Sequence, residues 1–304
     1  MLLEIKYKSS IDESLCYVLD KLPHFLKEDI LIFLTKHKMS VVNEIRIRAC
    51  DYISLLIKEA EIITDVYIDK STMEEIVLSL CGGSVYAHSD TIKKGYISVG
   101  YGIRAGVCGL AIQNSKEITG VYNITSINIR LPQKIDFAGK FVYNLLKESS
   151  FNSSVLLYSA PGVGKTTILR DLVCRLSVHK PSIRHAVIDT REEITPFLNN
   201  ITSDVFLSYP KGLGIEIATR NMTPKIIICD EITNVDDAEA ILYSACCGVT
   251  LVATTHAKSY EELKSKEILK KLFNCGCFDY AVGVIRNSLN KYEYKVNCLN
   301  ENSR

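Results

Sequence analysis

Residues 153–176, SSVLLYSAPGVGKTTILRDLVCRL, constrain the fold of this chain more than any other stretch. A β-prone run at 155–158 leads into the loop Ser159, Ala160, Pro161, Gly162, Val163 and Gly164. Lys165, Thr166 and Thr167 then open a segment whose apolar residues Ile168, Leu169, Leu172, Val173 and Leu176 recur at helical spacing. Strand, glycine loop and amphipathic helix in that order make a cradle for phosphate. Gly162 and Gly164 accept positive φ, which lets successive N–H groups curl round an anion while the helix start adds its partial positive charge. Lys165 would reach the β and γ phosphates and the Thr166 hydroxyl would hold Mg²⁺, so ATP and Mg²⁺ are the expected ligands. Ser159 stands where the general G-x-x-x-x-G-K-[ST] pattern has its first glycine. A chance glycine turn is the competing explanation, and the flanks and a second motif argue against it.

That second motif is the apolar run Ile226-Ile227-Ile228-Cys229, which delivers Asp230 and Glu231 to its carboxyl end. In open parallel sheets ligands sit at that edge, which suits Asp230 to hold Mg²⁺ through water and Glu231 to polarise an attacking water. Taken alone, an Asp-Glu pair after a core strand is more simply a helix cap; the upstream loop reverses that preference. Val187-Ile188-Asp189 makes a third strand, followed by Thr190-Arg191-Glu192-Glu193, and 248–253 a fourth that ends in Thr254-Thr255-His256. His256 has two readings, a contact to the γ-phosphate or an ordinary surface or core histidine. The repeated strand–helix order predicts a parallel, RecA-like sheet. Residues 260–273 read as a helix, and 280–285 with 292–296 as a hairpin around Arg286-Asn287-Ser288.

The first half reads differently. Apolar spacing in 1–40 predicts two short helices broken at Pro23, and alternation from Val41 onward predicts a strand, followed by strands at 53–57 and 62–68. Residues 71–80 read as a helix capped by Ser71, with Glu74 as capping-box partner and Cys81-Gly82-Gly83 as its end. The stretch 95–130, rich in glycine, aromatic and β-branched residues, predicts strands with tight turns ending at Pro132. A short polar join and a helix at 137–147 lead into the second half. The expected architecture is α/β: a RecA-like P-loop NTPase core with a parallel sheet in residues 135–304, plus a smaller mixed α/β domain in residues 1–134.

Lysine plus arginine number 36 against 35 acids, so no bulk charge draws the chain to nucleic acid or an anionic surface. No stretch approaches the roughly 20 apolar residues of a spanning helix. The N-terminal MLLEIKYKSS lacks the apolar core of a signal peptide, so a cytoplasmic location is expected. Eleven cysteines are an odd number, and Cys174, Cys229 and Cys246 fall in apolar runs, which predicts reduced, buried thiols.

Together SAPGVGKTTILRDLVCRL, IDTREEI, GIEIATRNMTPKIIICDEI and GVTLVATTHA resemble the stage III sporulation AA family of spore-forming Firmicutes, relatives of the type II and type IV secretion (pilus) ATPases. NEIRIR, VYAHSDTIKKGYISVGYGIRAGVCGLAI and ITSINIRLP extend the resemblance, which spans residues 41–256. Serine in place of the first loop glycine is usual in that family. The resemblance implies a homo-hexameric cytoplasmic ATPase; no transmembrane segment of its own is expected from the hydropathy and no nucleic acid partner from the charge balance. It would lie at the membrane around the forespore, on the mother-cell side, and energise a channel of membrane-embedded sporulation proteins. Position by position, Lys165 and Thr166 take the Walker A roles, Asp230 and Glu231 the Walker B roles, Glu193 the acidic-box glutamate and His256 the histidine box. Either Glu193 or Glu231 is then the base, with Glu193 favoured for activating water. Arg104 and Arg130 match positions that would reach a neighbouring subunit's phosphates as arginine fingers, or else simply cover a glycine-rich sheet. The family's Arg-Thr-Asp-Val run reads Thr202-Ser203-Asp204-Val205 here, so one arginine is absent.

Other functions compete. A small-molecule kinase needs an arginine-rich lid, and none is legible. A RecA-like nucleic-acid-binding ATPase would use NEIRIRAC or TIKKGY as contact faces, against the near-neutral charge. A module that holds ATP without turning it over is disfavoured by the presence of both Glu193 and Glu231.

Overall fold

A computed structural model describes residues 12–39, 41–57, 60–114, 118–132, 137–198, 201–287 and 291–299. The stretch MLLEIKYKSS, the polar join at 133–136 and Ser288 lie outside the described residues. The chain divides into two compact units, Met1–Gln133 and Lys134–Arg304.

In the first unit β1 (Glu44–Arg48), β2 (Asp51–Ile57), β3 (Ala60–Ile68), β4 (Tyr96–Gly100), β5 (Ile103–Gln113) and β6 (Ile118–Arg130) form a six-stranded sheet in the order β3-β2-β1-β6-β5-β4. Every pairing in it is antiparallel. Ile45, Ile47, Ile127 and Ile129 are buried at alternate positions, the period of a sheet with one covered face. Helices His24–Lys36, Lys70–Leu80 and Ser89–Lys93 pack on its strands. Pro23 is the N-cap of His24–Lys36, and the short helix Glu13–Leu19 precedes it. The Lys70–Leu80 helix is capped by Asp69, not by Ser71. Asp69 Oδ1 accepts the Thr72 N–H at 2.7 Å and the Ser71 hydroxyl at 2.8 Å, so the stronger, charged acceptor takes the cap and the serine becomes its donor.

The second unit holds β7 (Val155–Ser159), β8 (His185–Asp189), β9 (Asp204–Leu207), β10 (Ile226–Glu231), β11 (Thr250–His256), β12 (Tyr280–Arg286) and β13 (Tyr292–Cys298). They make one seven-stranded sheet in the order β13-β12-β7-β11-β10-β8-β9. Neighbours are parallel throughout except in the β12–β13 hairpin. All residues of β7 and β8 are buried, because helices cover both faces and leave no solvent side to be polar. Leu157, Val187, Ile228 and Val252 pack with Leu146 and Leu169 of helices Lys140–Glu148 and Lys165–Ser177. Leu156, Ile188, Ile227 and Leu251 belong instead to the core built with Ile241 and Leu263 of helices Val235–Cys246 and Tyr260–Ser265. Adjacent residues of one strand thus feed opposite cores.

Three details depart from expectation. The short edge strand β9 has no counterpart among the expected strands; of its apolar residues Val205, Phe206 and Leu207, only Phe206 is buried. The helix expected over 260–273 is two, Tyr260–Ser265 and Glu267–Asn274, parted at Lys266, where the backbone is extended and the side chain turns back to donate to the His256 carbonyl. Cys246 is exposed rather than buried, because it sits roughly 140° round its helix from the buried Ile241. Among the described residues no helix is long and apolar enough to cross a membrane.

Candidate functional site

Ser159 ends β7, residues 160–164 form the loop, and Lys165, Thr166 and Thr167 are the first turn of helix Lys165–Ser177. Gly162 has φ 78° and Gly164, which caps the helix, has φ 109° and ψ 28°. A Cβ on Gly164 would collide with the hydroxyl of Tyr292, carried in by β13. Glycine is needed there for both reasons. Lys165 is only 7% exposed. Its ammonium donates to Ser159 O at 3.2 Å and to Ser159 Oγ at 3.1 Å, and it meets His256 Nδ1 at 2.9 Å. The Ser159 hydroxyl donates its own hydrogen bond to Ala160 O at 2.8 Å, which leaves its oxygen free to accept from Lys165, so the serine that replaces glycine helps to seat the lysine. Burial draws the Lys165 pKa down to about 8; the nearby Glu231 opposes this and Lys266 adds to it.

His256, the last residue of β11, is paired in register with Ser159 of β7, and β10 on the other side of β11 ends in Asp230 and Glu231. His256 Nε2 stands 3.1 Å from Glu231 Oε2, and Arg191 Nη2 reaches the same oxygen at 3.7 Å. A proton on Nε2 satisfies both ring contacts: Nε2–H donates to Glu231 and Nδ1 accepts from Lys165. A continuous polar line therefore runs Lys165, His256, Glu231, Arg191. Asp230 is buried, and Lys211 Nζ lies 2.7 Å from its Oδ1. Among the described residues the Lys211 ammonium is the one side-chain donor group near that oxygen, its contact falls off the ideal hydrogen-bonding angle, and Oδ2 has no donor. Burial pushes the Asp230 pKa up, and the charge of Lys211 pulls against it.

The acidic segment is held by Asp189, the fully buried end of β8. Its carboxylate accepts the N–H groups of Glu193 (2.8 Å), Ile194 (2.9 Å) and Thr195 (2.8 Å) and the Thr195 hydroxyl (2.9 Å). Arg170, from the helix after the glycine loop, donates to the carbonyls of Glu193 at 3.1 Å and Pro196 at 2.7 Å. The backbone of Glu193 is thus fixed from both sides and its side chain is half-buried. Loop, Glu193 segment, Asp230–Glu231 and His256 all follow the carboxyl ends of β7, β8, β10 and β11. Arg104 and Arg130 belong to the other unit: Arg104 lies over the Tyr96 ring at 4.9 Å, and Arg130 Nε is 3.3 Å from Glu44 Oε1.

Lys211, Asp189, Arg191 and Tyr292 carry no role in the sequence reading, yet each shapes this edge. For Lys211 a signal exists: it opens helix Lys211–Ile217, where a positive charge opposes the helix dipole and needs a local reason. Tyr292 has no local signal, since its role comes from strand order alone.

The structure is similar to that of the Legionella pneumophila ATPase DotB, with a TM-score of 0.62 and 15% identity over 92% of this chain and 82% of that one. It is also similar to the pilus retraction motor PilT with bound ADP, with a TM-score of 0.58 and 13% identity over 91% and 83%. In class, then, this is an α/β protein with the fold of these secretion and pilus ATPases. The chain belongs to the family described as sporulation stage III, protein AA, which matches residues 21–291. The stage III sporulation protein AA of Bacillus subtilis (strain 168) is 29% identical over 274 residues, 86% of this chain and 88% of that one.

Proposed function

We propose that this chain is a Mg²⁺-dependent ATPase that turns hydrolysis into mechanical work for a sporulation channel. The observation that carries the reading is the polar line from Lys165 through His256 to Glu231, which links the glycine loop to the carboxylates at the next strand ends. The bound ADP of the pilus motor PilT, a protein of the same fold, supports a nucleotide here.

On this reading a phosphate takes Lys165 away from Ser159 and His256, and residues 159–167, apart from Pro161, supply the N–H groups around it. Asp230 has two buried oxygens that, among the described residues, meet no donor but Lys211, and Thr166 sits in the first helical turn; hydroxyl and carboxylate are a donor set that fits Mg²⁺ alongside phosphate oxygens. The ion, when bound, would neutralise phosphate charge. Glu193 is the base that takes the proton of the attacking water, and Glu231 with His256 orients the γ-phosphate side of the site. Arg104 and Arg130 act on the phosphates of a neighbouring protomer in a homo-hexamer. The ring lies in the cytoplasm against membrane-embedded channel proteins, at the membrane around the forespore.

The test is ATP turnover by the purified chain, with light-scattering mass measured in the same samples with and without Mg²⁺–ATP. Turnover that needs Mg²⁺ and accompanies ring formation is expected. A chain that neither binds nor hydrolyses ATP, alone or with membrane extracts of sporulating cells, overturns the reading.

A further inference from the structure

Lys211 is a buried cation to which the phosphate-loop reading gives no task. It is 7% exposed and follows Pro210 at the start of helix Lys211–Ile217, where backbone dipoles oppose it. An ammonium in such a place needs partners that repay its lost hydration. Lys211 Nζ has Asp230 Oδ1 at 2.7 Å, Asp237 Oδ2 at 3.8 Å and the Glu231 carbonyl. The two carboxylates differ. Asp237 Oδ2 already accepts the Thr233 N–H at 3.0 Å and the Thr233 hydroxyl at 3.2 Å. Among the described residues Asp230 has no donor at Oδ2 and, at Oδ1, only Lys211 itself. The ammonium therefore rests on the needier acid, with an anchored second acid a short swing away.

We propose that Lys211 is the resident counter-ion of Asp230 in the nucleotide-free protein, competes with a divalent cation for that carboxylate, and shifts onto Asp237 when the cation arrives with nucleotide. The inference rests on the nucleotide-site reading. Two cations on one buried carboxylate repel strongly, so one must leave. The helix cannot be the part that leaves: Gly212 passes so close to helix Val235–Cys246 that a Cβ would meet Asp236 O at 3.0 Å. Movement falls to the flexible lysine stem. The consequence is a site that refuses free metal and accepts it only with the negative charge of the nucleotide, which keeps the empty site from being locked by Mg²⁺.

The experiment uses the full chain and two probes, Mn²⁺ followed by electron paramagnetic resonance without nucleotide, and Mg²⁺ titration of the binding of a fluorescent ADP analogue. Wild type should leave Mn²⁺ free, whereas Lys211→Met should bind it and need at least about tenfold less Mg²⁺ for half-maximal nucleotide binding. Asp237→Asn keeps Lys211 but removes its second partner, and should need about threefold more Mg²⁺; it decides the matter if Lys211→Met does not fold. An unchanged or higher Mg²⁺ requirement in Lys211→Met, or an unchanged one in Asp237→Asn, overturns the proposal. Should wild type bind no nucleotide at all, the nucleotide reading fails, and the Mn²⁺ comparison of wild type with Lys211→Met still decides the competition.

Discussion

His256 Nδ1 and Lys165 Nζ stand 2.9 Å apart, so the last residue of β11 holds the first residue of the helix that follows the glycine loop. A phosphate must displace this contact to reach the lysine. Lys165→Ala is expected to abolish nucleotide binding measured by titration calorimetry, and wild-type affinity in that variant would remove the phosphate-loop assignment.

The same lysine sets a pH dependence. In the free protein burial has lowered its pKa to about 8, while beside phosphate it stays protonated. Above pH 8 the free form has lost the proton that the bound form keeps, so binding must take one up and affinity falls as pH rises. Affinity should be flat below about pH 7 and drop by up to about tenfold per pH unit above 8. A flat profile up to about pH 9.5 contradicts the seating of Lys165 described here.

Glu193→Gln is expected to keep ATP affinity and to slow turnover well beyond about tenfold, a barrier rise of at least about 1.4 kcal/mol. Single-turnover rates of Glu193→Gln and Glu231→Gln, compared side by side, show which acid is the base. Undiminished turnover in the first moves the role to Glu231.

Asp189 ties down the backbone that carries Glu193. Asp189→Ala would strand three N–H donors, those of Ile194 and Thr195 buried and that of Glu193 partly so, at a cost of about 2–4 kcal/mol in unfolding free energy. Because the glycine loop is untouched, nucleotide affinity should survive while turnover falls. Loss of affinity with turnover per bound nucleotide intact would show the tie to serve the loop instead.

Gly164→Ala meets two obstacles, a φ of 109° and the Tyr292 hydroxyl. It should lower stability by about 1–3 kcal/mol and weaken nucleotide binding. Adding Tyr292→Ala should restore part of the loss, since it clears the collision but leaves the backbone strain. No recovery in thermal unfolding of the double variant means the tyrosine gives way freely.

Much of the second unit could be read in advance because its chemistry is local. The glycine loop, the carboxylates after β10 and the histidine after β11 each sit next to an apolar run that announces a buried strand. What escaped the reading depends on partners far away in sequence. Asp189 reads as one more acid until the turn that folds 193–195 back onto it exists. Lys211 gains its meaning only when β10 lies beside the helix start after Pro210. Strand β9 is too short to announce itself, four residues at a sheet edge with only Phe206 buried, and the Ser71 cap lost to Asp69 because two acceptors in reach of one N–H group cannot be ranked by spacing alone.

The position of β12 and β13 has a bearing on how the protein is made. Residues 155–164 leave the ribosome well before Tyr280, yet β7 takes its outer neighbour from β12, Asp279 holds the Ser154 N–H at 2.7 Å, and Tyr292 braces Gly164. Until then β7, mostly apolar and wholly buried in the folded chain, keeps an open edge, the kind of surface on which chaperones act and misassembly begins. The glycine loop is therefore encoded early, and its full set of neighbours is complete only once β12 and β13 have joined the sheet.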